Sequence, residues 1–362
     1  ALAKVLKNSL PEIKIVMGGP HATLAVDDCI LSENVDFVIR KEGEATLLEL
    51  LEAIRTEQKL ISYEDVSGLV FKRDGHVVQN PLRLAITDMD ILPLIKRELY
   101  NIEKYGNIVN IHTSRGCPGN CIYCGGTALS GVHYRMRDIE NVFLEVVYLK
   151  VRLKERLSKI FIVDDTFTAI SERVNTFVEL LGKYKLSLKW RFQSRVDAIS
   201  EELLDRVASA GCVQILYGIE SGSQYVLNKI SKDIDLKVAK EVIDLTYRKK
   251  ILPELSFIIG HYCDTKETME ETFNFIKEMY EKYKTEINLF YNTPYPGTRQ
   301  YTGREKLGMK IRVTNYSLYN GVNAIVETEA FSINDQRKVF NKAKEYLWRI
   351  STAKILKKGL ID

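Results

Sequence analysis

The feature that most constrains the fold is an alternation of short apolar runs and longer amphipathic segments that begins near residue 107. Strand-like runs occur at 108–113, 159–163, 188–193, 213–219, 254–259 and 286–291. Helical periodicity separates them at 138–153, 170–184, 201–209, 235–249 and 266–282. Strands that alternate with helices of this length pair in parallel, and right-handed crossovers curl the sheet in one direction. The prediction is a partial (β/α)6 barrel with its chemistry at the C-terminal ends of the strands.

A shorter α/β pattern precedes it. Residues 13–18 read as a buried strand ended by Gly18-Gly19-Pro20, 24–33 as a helix, 36–39 as a strand and Glu44–Arg55 as an amphipathic helix. Residues 67–79 carry two apolar arms about Asp74-Gly75, a hairpin signal. The fold class is therefore α/β throughout. The expected layout is an N-terminal Rossmann-like parallel sheet over 1–79, a linker over 80–106, the partial barrel over 107–300 and a C-terminal extension over 301–362. Residues 293–330 read as irregular, and a helix is expected from about 333 to 355. The chain opens on Ala1 within a helical pattern, so the first half of the N-terminal sheet is expected upstream of it.

Composition excludes several function classes. No run approaches the ~20 apolar residues of a membrane span, and the first residues lack a secretory pattern. A net charge of +4 without a long basic run argues against a nucleic-acid partner. Lys357-Lys358 reads as a solvated helix end. Six cysteines in 362 residues are too few for a secreted disulfide framework. A reducing, cytoplasmic setting is expected, with Cys29 and Cys212 as core thiols.

Three of the cysteines cluster, as Cys117-Pro-Gly-Asn-Cys121-Ile-Tyr-Cys124, in the loop after the first barrel strand. Gly116, Pro118, Gly119 and Asn120 supply the turns that let the thiolates converge. Three thiolates can hold three irons of a 4Fe–4S cluster and leave the fourth open. A zinc site using His112 or His133 is the alternative, although structural zinc favours paired Cys-x-x-Cys units.

Cys-x-x-x-Cys-x-aromatic-Cys in this position resembles the radical S-adenosylmethionine (SAM) superfamily. The resemblance covers about 107–300 and implies that SAM chelates the open iron and is cleaved reductively to a 5′-deoxyadenosyl radical. It implies SAM contacts from Tyr123, from Asp164 (or an N-cap role for the Asp164-Asp165 pair), and from Gln193 and Arg195, with Arg195 facing the SAM carboxylate. It extends these to Gly218, Glu220 and Ser221 at the fourth strand end. Pro294-Tyr295-Pro296-Gly297-Thr298 resembles a segment common in the branch with an N-terminal cobalamin domain. In that branch Gly18, Gly19 and His21 would meet cobalamin, and Gly43-Glu44 resembles a further motif. The branch's Asp-x-His-x-x-Gly cobalt-ligand motif has no match here. Phe257–Thr268 departs from the expected Gly-x-Pro-Gly-x-Thr, with Tyr262 and Cys263 in place of Pro and Gly. Tyr262, Cys263 and Tyr295 are candidate substrate-facing residues, although Cys263 also reads as a thiol without a role.

The resemblance implies methyl transfer to an unactivated carbon of a small-molecule substrate, with a flavodoxin or ferredoxin as external electron donor. Three alternatives stay open. They are a radical cyclase or rearrangement enzyme, a tRNA methylthiotransferase-like enzyme, and a non-catalytic metal-binding protein.

Overall fold

The computed structural model describes residues 2–55, 61–100 and 107–357. Lys358 and the end of the expected linker, 101–106, lie outside these residues. The chain divides into two compact units, one of Ala1–Thr87 with Gly125–Gly131 and the other of Asp88–Cys124 with Val132–Asp362.

The first unit contains α1 (Leu2–Ser9), β1 (Val16–Met17), α2 (Pro20–Leu24), α3 (Val26–Ile30), β2 (Phe37–Ile39), α4 (Glu44–Arg55), β3 (Leu69–Arg73), β4 (His76–Gln79) and α5 (Gly125–Ser130). Its sheet runs β1-β2-β3-β4, with β1 and β2 parallel and the Asp74-Gly75 hairpin antiparallel. The helix expected over 24–33 is shorter, α3 over Val26–Ile30, and a separate short helix, α2, precedes it. Pro20 starts the first, since its fixed φ suits a first helical position. Ala25, at φ −131° and ψ 57°, breaks the chain between them.

The second unit is built on β5 (Ile108–Ile111), β8 (Lys159–Ile162), β9 (Trp190–Ser194), β10 (Cys212–Glu220), β11 (Leu252–Ile259) and β12 (Glu286–Tyr291). These form one curled, wholly parallel half-barrel sheet in sequence order. The crossover helices are α6 (Ile139–Leu153), α7 (Ser171–Lys183), α8 (Glu201–Ser209), α9 (Gln224–Lys229), α10 (Leu236–Arg248) and α11 (Lys266–Tyr283). A small clasp, β6 (Ser114–Arg115) with β7 (Arg135–Met136), brackets the cysteine loop. The region expected to be irregular holds α12 (Arg299–Thr302) and the paired β13 (Lys310–Ile311) and β14 (Val326–Glu327). Helix α13 (Ile333–Lys357) follows.

One face of each strand supplies the core. Ile160, Ile162, Trp190, Phe192, Ile215, Tyr217, Leu255 and Phe257 pack against the helices and are essentially solvent-free. Alternation along a strand then puts Arg191, Gln193, Gln214, Leu216, Glu254, Ser256 and Asn288 on the opposite, concave face. Among the described residues no helix is long and apolar enough to cross a membrane.

Candidate functional site

The site grows from the end of β5. Asp164, fully buried at the end of β8, accepts the backbone N–H of Thr113 at 2.6 Å and of Ser114 at 3.1 Å, and both hydroxyls of those residues. Arg173 holds the same turn, donating to Thr113 Oγ1 at 2.8 Å and to the carbonyls of Thr113 and Arg137. This network fixes the base of the cysteine loop. It also corrects the expectation for Asp164. Its carboxylate is neither an N-cap nor open to a ligand, because both oxygens serve the loop.

Cys117, Cys121 and Cys124 sit half-buried on that loop. The Gly119 N–H donates to Cys117 Sγ at 3.4 Å, and Thr166 Oγ1 stands 3.4 Å from the same sulfur. The intervening Ile122 is pinned on both sides, its N–H to the Ile230 carbonyl at 3.1 Å and its carbonyl to the Gln300 N–H at 3.0 Å. Among the described residues, the trio of His, Cys, Asp or Glu ligand atoms within 4.8 Å of one another is His21, Asp28 and Cys29, not the three loop cysteines. His112 and His133 are exposed, and among the described residues neither joins the cysteines in a set of ligand atoms within 4.8 Å.

Two cations face the loop. Burial pushes the Cys121 thiol up, while Lys232 and Arg195 pull it the other way. Arg195 differs from expectation. Its Nε and Nη2 grip Asp197 at 2.9 and 2.8 Å, and Nη2 also donates to the Lys232 carbonyl at 2.8 Å. Burial works against its charge, but Asp197 outweighs this and raises the guanidinium above its usual value. Its Nη1 lies 3.4 Å from where a side chain on Gly119 would begin. Nε and Nη2 are thus in use, while Nη1 faces the cysteine loop beside Gly119.

The end of β10 carries the local strain. Glu220 has φ +72°, and the ladder to β11 shifts register between Gly218 and Glu220. A non-glycine residue in this region is costly and concentrates at functional sites. Glu220 meets Lys232 Nζ at 3.4 Å, both largely buried. Gly218 leaves room for this pair, since a Cβ there would displace Glu220 Oε1 and stand 3.0 Å from Lys232 Nζ. Ser221 is corrected. Its hydroxyl contacts Thr272 on α11 at 3.1 Å and accepts the Ser223 N–H, so it anchors the strand-to-helix turn. Gly222 lets that turn approach α11, because a Cβ would lie 2.7 Å from the Thr272 backbone.

His261 closes the site. It is solvent-free, and neither ring nitrogen has a hydrogen-bond partner. Its ring stands 5.2 Å from that of Tyr123. Burial lowers its pKa to about 3, so the ring is neutral. Tyr123 is raised by burial and by Glu220. Gln193 lies half-buried on the concave face. The substrate-facing candidates Tyr262 and Cys263 share with Tyr123 the packing against the barrel core. The Tyr262 hydroxyl donates to the Lys229 carbonyl at 3.1 Å, and its ring packs on Met309, Ile325 and Val326. Burial and then Asp264 push the Cys263 thiol to about 12, which leaves it a poor nucleophile. Tyr295 is exposed at the surface. In the first unit, His21 Nε2 lies 2.7 Å from Asp28 Oδ2 at the end of the Gly18-Gly19 turn.

Lys232 and His261 are the residues that motif reading missed. Lys232 lies between the buried Ile230 and Ile234 in the turn after α9, where Ser231 and Asp233 take positive φ.

Comparison with known proteins agrees with this geometry. The family model described as the radical SAM superfamily matches residues 111–276. An uncharacterized methyltransferase of Pyrococcus horikoshii is 29% identical, over 100% of this chain and 77% of its own length. The anaerobic magnesium-protoporphyrin IX monomethyl ester cyclase of Rubrivivax gelatinosus is 29% identical, over 90% of this chain and 59% of its own length. The chain thus spans less than two thirds of that enzyme. Among solved structures, the radical SAM methyltransferase TsrM of Kitasatospora setae, with cobalamin and a [4Fe–4S] cluster bound, superposes with a TM-score of 0.73 at 15% identity, over 96% of this chain and 74% of its own. With the cysteine loop at the head of a parallel half-barrel, residues 111–276 form a radical SAM domain.

Proposed function

We propose that the chain is a cobalamin-dependent radical SAM enzyme that transfers a methyl group to an unactivated carbon of a small molecule. The observation that carries the reading is the cysteine loop held between Arg195 and Lys232 at the open end of the half-barrel. The thiolates of Cys117, Cys121 and Cys124 would hold three irons, and their combined charge is offset by the two cations. When bound, the cluster supplies the electron that cleaves SAM to methionine and a 5′-deoxyadenosyl radical. The chain's own part is positioning. Asp164 and Arg173 fix the loop, Glu220 offers a carboxylate oxygen to ligand hydroxyls, and the Tyr123–His261 contact keeps water from the inner wall.

The first unit suits a flat ligand at Gly18-Gly19. Gly19 has φ +91°, and a Cβ there would meet nothing within 4 Å, while Gly18 faces only Ile39 at 3.9 Å. Open space above two glycines at a strand end is where α/β sheets take ligands. Cobalamin there would carry the methyl group, and an external flavodoxin or ferredoxin would supply the electron. The magnesium-protoporphyrin cyclase relative supports a second reading, ring closure without methyl transfer.

The test is anaerobic reconstitution with iron, sulfide and hydroxocobalamin, followed by SAM. Stoichiometric cobalamin after desalting, together with 5′-deoxyadenosine and S-adenosylhomocysteine in turnover, is expected. 5′-Deoxyadenosine without S-adenosylhomocysteine would favour the cyclase reading. Retention of the cluster without cobalamin would remove the two-cofactor proposal.

A further inference from the structure

Thr166 follows the Asp164-Asp165 pair, and its hydroxyl is not used for capping. It precedes the single turn Phe167–Ala169, where a threonine ordinarily accepts a backbone N–H, yet its side chain makes no cap bond. The residue is 1% exposed. Its Oγ1 lies 3.4 Å from Cys117 Sγ and 2.7 Å from the Asp165 carbonyl. One hydroxyl proton faces these two acceptors, and an anionic sulfur is the stronger of them. Cys117 Sγ also accepts the Gly119 N–H at 3.4 Å. The sulfur therefore stands between two donors, one from its own loop and one from the end of β8.

We propose that Thr166 raises the reduction potential of the cluster site by donating a hydrogen bond to the Cys117 thiolate. This rests on the reading that Cys117, Cys121 and Cys124 hold a 4Fe–4S cluster. Reduction adds one electron and leaves every bond of the protein in place. The added negative charge spreads onto the sulfurs, so a donor aimed at one of them favours the reduced state. The loop then uses two kinds of support. Arg195 and Lys232 act on Cys121 as charges. Thr166 acts on Cys117 through a directed bond, in a place where no water competes for the hydroxyl.

The experiment reads potential, not turnover. Cluster-loaded parent, Thr166→Val, Thr166→Ser and Thr168→Val are titrated anaerobically without SAM, with titanium(III) and redox mediators. The reduced cluster is quantified by electron paramagnetic resonance, and iron per chain is measured in each protein. Valine keeps the shape of threonine and lacks the donor. Thr166→Val should disfavour the one-electron reduction on the order of 10-fold, about 59 mV downward, at parental iron content. Thr166→Ser keeps the donor and should stay within about 2-fold of the parent. Thr168→Val should do the same, because it removes a buried hydroxyl of the same turn that meets Ser194 instead. An unchanged potential in Thr166→Val, or an equal shift in Thr166→Ser or Thr168→Val, would overturn the proposal. Loss of iron from Thr166→Val that Thr166→Ser restores would also overturn it, and would make the hydroxyl a brace for the loop. If the parent takes up no cluster, the cluster reading itself fails and the proposal falls with it.

Discussion

The two ends of the half-barrel sheet handle buried polarity in opposite ways. At the N-terminal end, Glu254 Oε2 accepts from Arg191 at 3.0 Å and Gln214 at 2.9 Å, and Oε1 accepts from Asn288 at 2.7 Å. Gln214 reaches on to Glu286 at 2.7 Å, and the Arg191 guanidinium lies 3.9 Å from the Phe161 ring centroid. At the C-terminal end, Lys232 has one long contact, His261 has none, and Glu220 adopts a disfavoured φ. Within the floor network the Arg191 Nε is left over, while the rim leaves Lys232 underfilled and both His261 ring nitrogens without a partner. A polar network earns stability only when its members are paired, so the deficit at the rim marks where a ligand belongs.

The largest expected effect breaks the rim's chemistry without touching the floor. Cys121→Ala should abolish SAM cleavage and lower iron per chain, while far-ultraviolet circular dichroism stays that of the parent. Full 5′-deoxyadenosine formation by this variant would sink the cluster assignment.

The next effect is a pH dependence at the rim. Asp264, buried behind His261, accepts the N–H groups of Gly260 at 3.0 Å and His261 at 2.8 Å, and the Thr268 hydroxyl at 2.7 Å. Burial raises its pKa to about 6 against those opposing bonds. A carboxyl raised in the folded state holds its proton more tightly there than when unfolded. Its contribution is therefore fully present below about pH 4 and is lost as pH rises through about 6. The loss should be on the order of 3 kcal/mol by that linkage, and Asp264→Asn should flatten it. Urea denaturation at a series of pH values reads the difference. Identical profiles for the two proteins would show that Asp264 is solvated.

The floor answers to stability alone. Glu254→Leu leaves Arg191 and Asn288 without their shared acceptor and should cost about 2 kcal/mol, a figure reduced from the fully buried case because Arg191 is partly exposed. SAM cleavage per folded molecule should hold at moderate temperature. A fall in cleavage at full folding would place the floor in the binding site.

Legibility in the sequence follows the same division. Apart from the short α9, which the sequence reading lacks, the crossover helices were readable because each keeps an apolar stripe at helical spacing, and Glu201–Ser209 matches its predicted span residue for residue. The cysteine loop was readable because its ligands are local. Arg195, Ser221 and Asp164 were placed at strand ends, and Asp197 lies only two residues from Arg195. Thr272 and Thr113 meet Ser221 and Asp164 through turns and register, which no local pattern encodes. The break at Ala25 was missed because the apolar spacing continues through it. Lys232 and His261 are single residues whose burial depends on distant strands.

The smallest expected effect is the most pointed test of the comparison. The Glu220 carbonyl lies near the His261 ring, yet neither ring nitrogen reaches hydrogen-bond geometry. An unpaired buried donor or acceptor costs about 1–3 kcal/mol, and an apolar group of similar volume removes that cost. His261→Leu should therefore stabilise the chain by about 1 kcal/mol, with repacking against Tyr123 taking back part of the gain. The same change should weaken SAM binding if the rim's deficit is reserved for ligand. Stabilisation with weaker binding is the trade expected where function opposes packing. Destabilisation would mean that the imidazole is satisfied by water in solution, and the contrast between floor and rim would then rest on Lys232 and Glu220 alone.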